Sequence, residues 1–165
     1  MTAGGEGLAR LNRMPAGEAE RALLACCGSR RWVAEMAAER PYPTTEALHE
    51  AAERTWWALA EPDWQEAFAA HPRIGDRARA SATERQEQQG AATASAATLQ
   101  ELAEGNNAYE ERFGRVFLVC AAGRTADEML ALLHQRLRSD PATELRTAAT
   151  EQSRITRLRL ERMLA

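Results

Sequence analysis

Segments of helical length, each opened by a capping residue and closed by glycine or proline, recur throughout this chain. Alternating apolar–polar runs of strand type hardly occur. Residues 17–27 have a helical pattern. Ser29 can cap a helix over 30–39, which Pro41-Tyr42-Pro43 terminates. Thr44 or Thr45 can cap a longer helix to about residue 61, with Leu48, Ala52, Thr55, Trp56 and Leu59 on its inner face. Pro62-Asp63, with Asp63 as cap, opens a short helix reaching His71. Thr83-Glu84-Arg85-Gln86 matches a capping box after a loop over 77–82, with the helix starting near Glu84. A helix over about 96–112 ends near Gly114. Thr125-Ala126-Asp127-Glu128 is a second capping box, opening a helix to about residue 138, and Asp140-Pro141 opens a final one. Gly105, Gly114 and Gly123 read as closing helices or turns. Residues 1–7 read as a frayed polar start.

Aromatic residues are only 5% of the chain and alanine is abundant, so the core is built of small side chains and leucine, which favours closely packed helices. The apolar run around 116–121 has no partner strand and reads as a short extended segment crossing between helices. With 165 residues and no long linker or repeat, residues 1–165 are expected to form one all-α domain.

Charge and cysteine content exclude several function classes. All 21 basic residues are arginine, so no lysine Schiff base can form. Net charge is -3 and the arginines alternate with acids, which argues against a nucleic-acid partner. No apolar run approaches a membrane span. Three cysteines suit a reducing cytoplasm better than a disulfide framework, and Cys26, Cys27 and Cys120 read as small buried hydrophobes. His49, His71 and His134 are scattered without metal-ligand spacing; His49 belongs to the edge of an exposed helix face and His134 to the margin of an apolar one. No glycine-rich nucleotide loop and no Gly-x-Ser-x-Gly elbow is present.

Two residues stand out against this background. At about 100° per residue, Trp64, Ala67, Phe68 and His71 fall on one helix face, so His71 should point inward where Pro72 stops the helix. In the last helix, Leu145, Ala148, Ala149, Gln152, Ile155, Leu160 and Met163 form an apolar face with Arg159 near its middle, while Arg146, Arg154 and Arg157 lie opposite. Arg159 is either a structural ion-pair partner, a snorkelling side chain, or a clamp for an anionic substrate.

Four segments resemble the 2-oxo-4-hydroxy-4-carboxy-5-ureidoimidazoline (OHCU) decarboxylase family, which acts in the last step from urate to (S)-allantoin. They are His71-Pro72-Arg73-Ile74-Gly75; Glu87-Gln88 followed by Gly90; Asn106-x-Ala108-Tyr109 with Arg112-Phe113-Gly114-x-x-Phe117-Leu118-Val119-Cys120; and Ile155-x-x-Leu158-Arg159-Leu160. The resemblance implies an all-helical, homodimeric, cofactor-free and metal-free carboxy-lyase. It implies His71, Glu87 and Arg159 as catalytic residues. Substrate contacts would fall on Pro72, on Glu84, Arg85, Gln86 and Gln88, and on Phe117, Leu118, Val119, Cys120 and Ala121, largely through main chain. One position departs: Glu84 stands where the family has serine. It turns away from the substrate, is held protonated, or alters activity. Other readings are a catalytically impaired homologue serving as a binding module, and a decarboxylase of a related ureido acid.

Overall fold

The computed structural model describes residues 3–76 and 78–165. Met1, Thr2 and Arg77, the last at the start of the expected 77–82 loop, lie outside the described residues. Among these residues there are nine α-helices, one 3-10 turn and no strand. The helices are α1 (Ala3–Arg13), α2 (Ala16–Cys26), α3 (Arg30–Ala38), α4 (Thr45–Ala58), α5 (Glu61–Ala69), α6 (Ala82–Glu87), α7 (Ala96–Phe113), α8 (Ala126–Leu137) and α9 (Pro141–Leu164); the 3-10 turn, Gln89–Ala91, follows α6. No helix among the described residues is long and apolar enough to cross a membrane.

Capping chemistry sets most of the helix starts. Ser29, Thr44, Ser81, Ser95 and Thr125 each accept a hydrogen bond from the backbone N–H three residues on. A cap of this kind contributes about 0.5–2 kcal/mol. Asp140 does the same for α9 through Thr143 N–H at 3.0 Å. Two expected caps are displaced. Asp63 lies inside the first turn of α5, where its N–H already bonds the Ala60 carbonyl. The first capping box is Ser81 with Glu84 rather than Thr83 with Gln86. The opening expected to fray is helical from Ala3, with Gly7 buried. There the site of a Cβ on Gly7 lies 2.0 Å from the Leu164 carbonyl oxygen, so α1 approaches the end of α9 too closely for any side chain.

Cα packing divides the chain into two compact units: Met1–Ala67 with Ser153–Ala165, and Phe68–Gln152. In the first, Leu11, Leu23, Trp32, Met36, Leu48 and Trp56 are fully buried. The expected inner face of α4 is buried throughout, and the Trp32 indole N–H donates to the Ala52 carbonyl. His49, placed by its spacing at an exposed edge, is buried instead, with buried Leu48, Ala51 and Ala52 beside it on α4.

In the second unit, Ile74, Leu102, Tyr109, Phe117, Val119, Met129 and Leu133 form one core. Gly105 is interior to α7, not a terminator. The site of its Cβ lies 2.5 Å from Leu133 Cδ2, so the glycine permits close approach of α8. Gly114, at φ 70°, closes α7 in the left-handed conformation that glycine adopts without strain. Residues 116–121 carry neither helix nor strand and join α7 to α8.

Candidate active site

Helix α5 ends at Ala69, two residues before His71. Proline disfavours the α conformation in the residue before it, so the chain leaves the helix early and His71 sits in a turn rather than on the helix face. Its N–H still bonds the Phe68 carbonyl, and its ring is half-buried. His71 Nε2 lies 2.7 Å from Gln152 Oε1 on α9.

The loop after His71 is tied down residue by residue. The Arg73 guanidinium forms a two-pronged pair with Glu110, at 2.8 and 2.5 Å, and also donates to Asn107 Oδ1. The pair holds the guanidinium charged and raises its pKa further. Buried Asn106 donates to the Ile74 carbonyl. Gly75 has φ 90°, and its N–H donates to Gln88 Oε1 at 3.0 Å. Three of the segments read separately in the sequence therefore meet here.

A cleft of about 700 Å³ opens on His71, lined also by Pro72, Arg73, Asp76, Arg79, Glu84, Glu110 and Val116. Its wall is highly charged, with carboxylates and guanidinium groups beside the imidazole. Glu84 faces this cleft while one carboxylate oxygen accepts the Ser81 N–H at 2.7 Å. The residue that departs from the family serine is thus the third-position member of a capping box.

Of the remaining expected residues, Arg85 and Gln86 are exposed on α6 and Gln88 is buried on the Gly75 amide. Glu87 is half-buried and its charge reaches Cys120. The Cys120 thiol is pushed up mainly by burial and then by the carboxylates of Glu151 and Glu87. Cys120 itself is half-buried, less enclosed than its apolar run implies. Phe117, Leu118, Val119 and Ala121 are buried, and part of their backbone is already engaged. The Cys120 N–H donates to Glu151 Oε2 at 3.0 Å, the Cys120 carbonyl accepts from Arg124 Nε, and the Leu118 carbonyl accepts from Arg136 Nη1.

Arg159 belongs to the first unit. It is half-buried, and its Nη1 donates to the Ala25 carbonyl at 3.3 Å. Burial pushes the Cys26 thiol up to about 12 and that of Cys27 to about 11, outweighing the lowering by the Arg159 charge. Both cysteines are therefore neutral, buried thiols. Arg157 points outward and pairs with Glu161. Among the described residues, no group of three or more His, Cys, Asp or Glu side chains is arranged to hold a metal.

The sequence reading missed Gln152, Glu144 and Glu151. Gln152 was placed on the apolar face of the last helix without a role. Glu144 and Glu151 share that face, in register with Ala148 and Ile155, and all three are buried. Two carboxylates seven residues apart on an alanine-rich face are the signal that could have found Glu144 and Glu151.

The OHCU decarboxylase family model matches residues 12–161, through both units. This chain belongs to the OHCU decarboxylase family. It is 40% identical over 149 residues to a bifunctional uric acid degradation protein of Arabidopsis thaliana, covering 85% of this chain and 45% of that protein. It is 31% identical to the OHCU decarboxylase of Haloferax volcanii, covering 78% of this chain and 79% of that one. Thus the chain spans less than half of the Arabidopsis protein and most of the Haloferax one. Among solved structures, one titled as OHCU decarboxylase in the presence of (S)-allantoin superposes with a TM-score of 0.78 at 39% identity, covering 86% of this chain and 95% of that one. A structure titled as (S)-allantoin synthase, at 20% identity and a TM-score of 0.71, shares the fold.

Proposed function

We propose that this chain decarboxylates OHCU to (S)-allantoin and CO2. Membership of the family, over nearly the whole chain, carries the reading. The charged cleft around His71 supports it, because the substrate is small, anionic and rich in hydrogen-bonding groups.

The chemistry needs no outside electron sink. The carbon losing CO2 carries both hydroxyl and carboxylate, next to a ring C=N. As the carbon–carboxyl bond breaks, its electron pair forms a double bond to the C=N carbon, and the nitrogen takes up a proton. The resulting enol then loses its O–H proton while the former C=N carbon gains one, leaving a carbonyl and a new stereocentre. One proton is consumed overall. His71 moves the enol or carbon-bound proton, Glu87 holds the ureido or hydroxyl groups, and Arg159 fixes an anionic or carbonyl oxygen. Pro72 and the backbone over 117–121 supply the flat walls and directional bonds, and protonation from one face gives one enantiomer. The protein works in the cytoplasm as a homodimer without metal or organic cofactor.

The test is direct. Substrate generated in place from urate by urate oxidase and hydroxyisourate hydrolase is mixed with the protein, with chelator present, and optical rotation is followed. Rapid formation of single-handed allantoin is expected. His71→Asn should lower turnover on the order of 10²-fold or more. A rate no faster than spontaneous decay would overturn the reading.

A further inference from the structure

Gln152 is fully buried on α9, and its side-chain oxygen lies 2.7 Å from His71 Nε2. An amide oxygen only accepts, so Nε2 must carry the hydrogen of this bond. In a neutral imidazole the basic lone pair then belongs to Nδ1. We propose that Gln152 is a positioning residue that fixes the His71 ring in its Nε2–H tautomer and reserves Nδ1 for proton transfer.

The surrounding geometry makes this bond a firm one. Gln152 sits within α9 between buried Glu151 and Ile155, so its backbone is held by the helix. Glu151 is also anchored, on the Cys120 N–H. The imidazole is held from its other end by the Pro72 turn and the Arg73–Glu110 pair. A ring restrained at both its backbone and one nitrogen has little freedom to exchange the roles of its nitrogens. A neutral acceptor also differs from a carboxylate, whose charge favours the imidazolium far more strongly. Among the described residues, the charged groups that line the cleft with His71 are Arg73 with Glu110, Asp76 with Arg79, and Glu84; Glu151 neighbours Gln152 on α9. These set the background against which any change at Gln152 is read.

The role in catalysis rests on the proposed decarboxylation, whereas the tautomer does not, so two measurements separate them. Nitrogen-15 spectra of the imidazole in the resting wild-type protein should show a protonated Nε2 and an unprotonated Nδ1 for His71. Gln152→Leu, close in size, should lose this preference. It should lower kcat roughly ten- to a hundred-fold with KM little changed, as removal of an orienting partner does. Gln152→Glu should restore the tautomer and move the acidic limb of the kcat–pH profile upward, because a carboxylate favours the charged ring. An Nδ1–H tautomer in the wild type would overturn the proposal. So would an unchanged pH profile and turnover in both variants. A wild type that keeps the Nε2–H tautomer but forms no allantoin would sink the decarboxylase reading and leave the tautomer assignment standing.

Discussion

Replacing Glu144 with leucine should be among the most damaging single changes outside the cleft. Glu144 is fully buried on α9, and three donors converge on its Oε1: the Tyr109 hydroxyl at 2.5 Å, Arg136 Nε at 2.8 Å and Arg136 Nη2 at 2.5 Å. Arg136 is itself only 5% exposed and lies over the Phe117 ring, 4.7 Å from its centroid. Removing the carboxylate would leave a buried guanidinium without its counter-charge. Breaking a buried pair by deleting one partner costs about 3–5 kcal/mol. The orphaned Tyr109 hydroxyl would add about 1–3 kcal/mol, partly overlapping. A total near 4 kcal/mol corresponds, for a chain of this size, to a fall in Tm of roughly 8–16 °C. Calorimetry on wild type, Glu144→Leu, Arg136→Met and the double variant would measure it. The double variant should recover much of the loss, since two apolar groups no longer strand a charge. A fall of less than about 3 °C in Glu144→Leu, or a double variant as poor as the sum of the singles, would refute the assignment.

Arg159→Lys should raise KM and lower turnover, because a point charge cannot reproduce a fork of donors, while Arg157→Lys, exposed and paired with Glu161, should leave steady-state kinetics unchanged. Glu84→Ser removes the acceptor for the Ser81 N–H and should cost about 0.5–1 kcal/mol of stability in thermal melts; it should also lower KM modestly at neutral pH by taking one negative charge from the cleft. Gly90→Ala should destabilise more than Gly105→Ala, measured by urea unfolding, because the first Cβ would meet a backbone carbonyl, that of Arg124, and the second only the end of the Leu133 side chain. Burial, and next the nearby Arg157 charge, hold the His49 pKa below its ordinary 6.5. The unfolded chain therefore binds this proton first, so stability is fully present above pH 6.5 and is lost as pH falls towards the folded pKa. His49→Gln should flatten that slope in melts taken across the acidic range.

Most helices after α1 were legible because they are opened by local chemistry: a hydroxyl or carboxylate at the cap and a glycine or proline near the end. Where two such signals stood close together, as Ser81 and Thr83 do, spacing could not choose between them. The choice came from which side chain could reach the N–H three residues on. His71 was found by its setting before Pro72, yet its partner was not, since Gln152 comes from a helix 81 residues later. Arg159 stood out because a guanidinium on an apolar face has no local explanation. Glu144 and Arg136 stayed hidden because they come from different helices, and only their pairing makes burial tolerable.

The bond from the Gly75 amide to Gln88 has a consequence for how this site can vary. In the chain, the histidine segment and the glutamate segment are twelve residues apart, with Ser81 and most of α6 between them. In the folded protein they are one mechanical part, because Gln88 closes the turn behind His71 while its neighbour Glu87 is held beside Cys120. Either half, transplanted alone into a related scaffold, would arrive without its counterpart. A graft that hopes to move the chemistry must therefore carry residues 71–75 and 87–90 together.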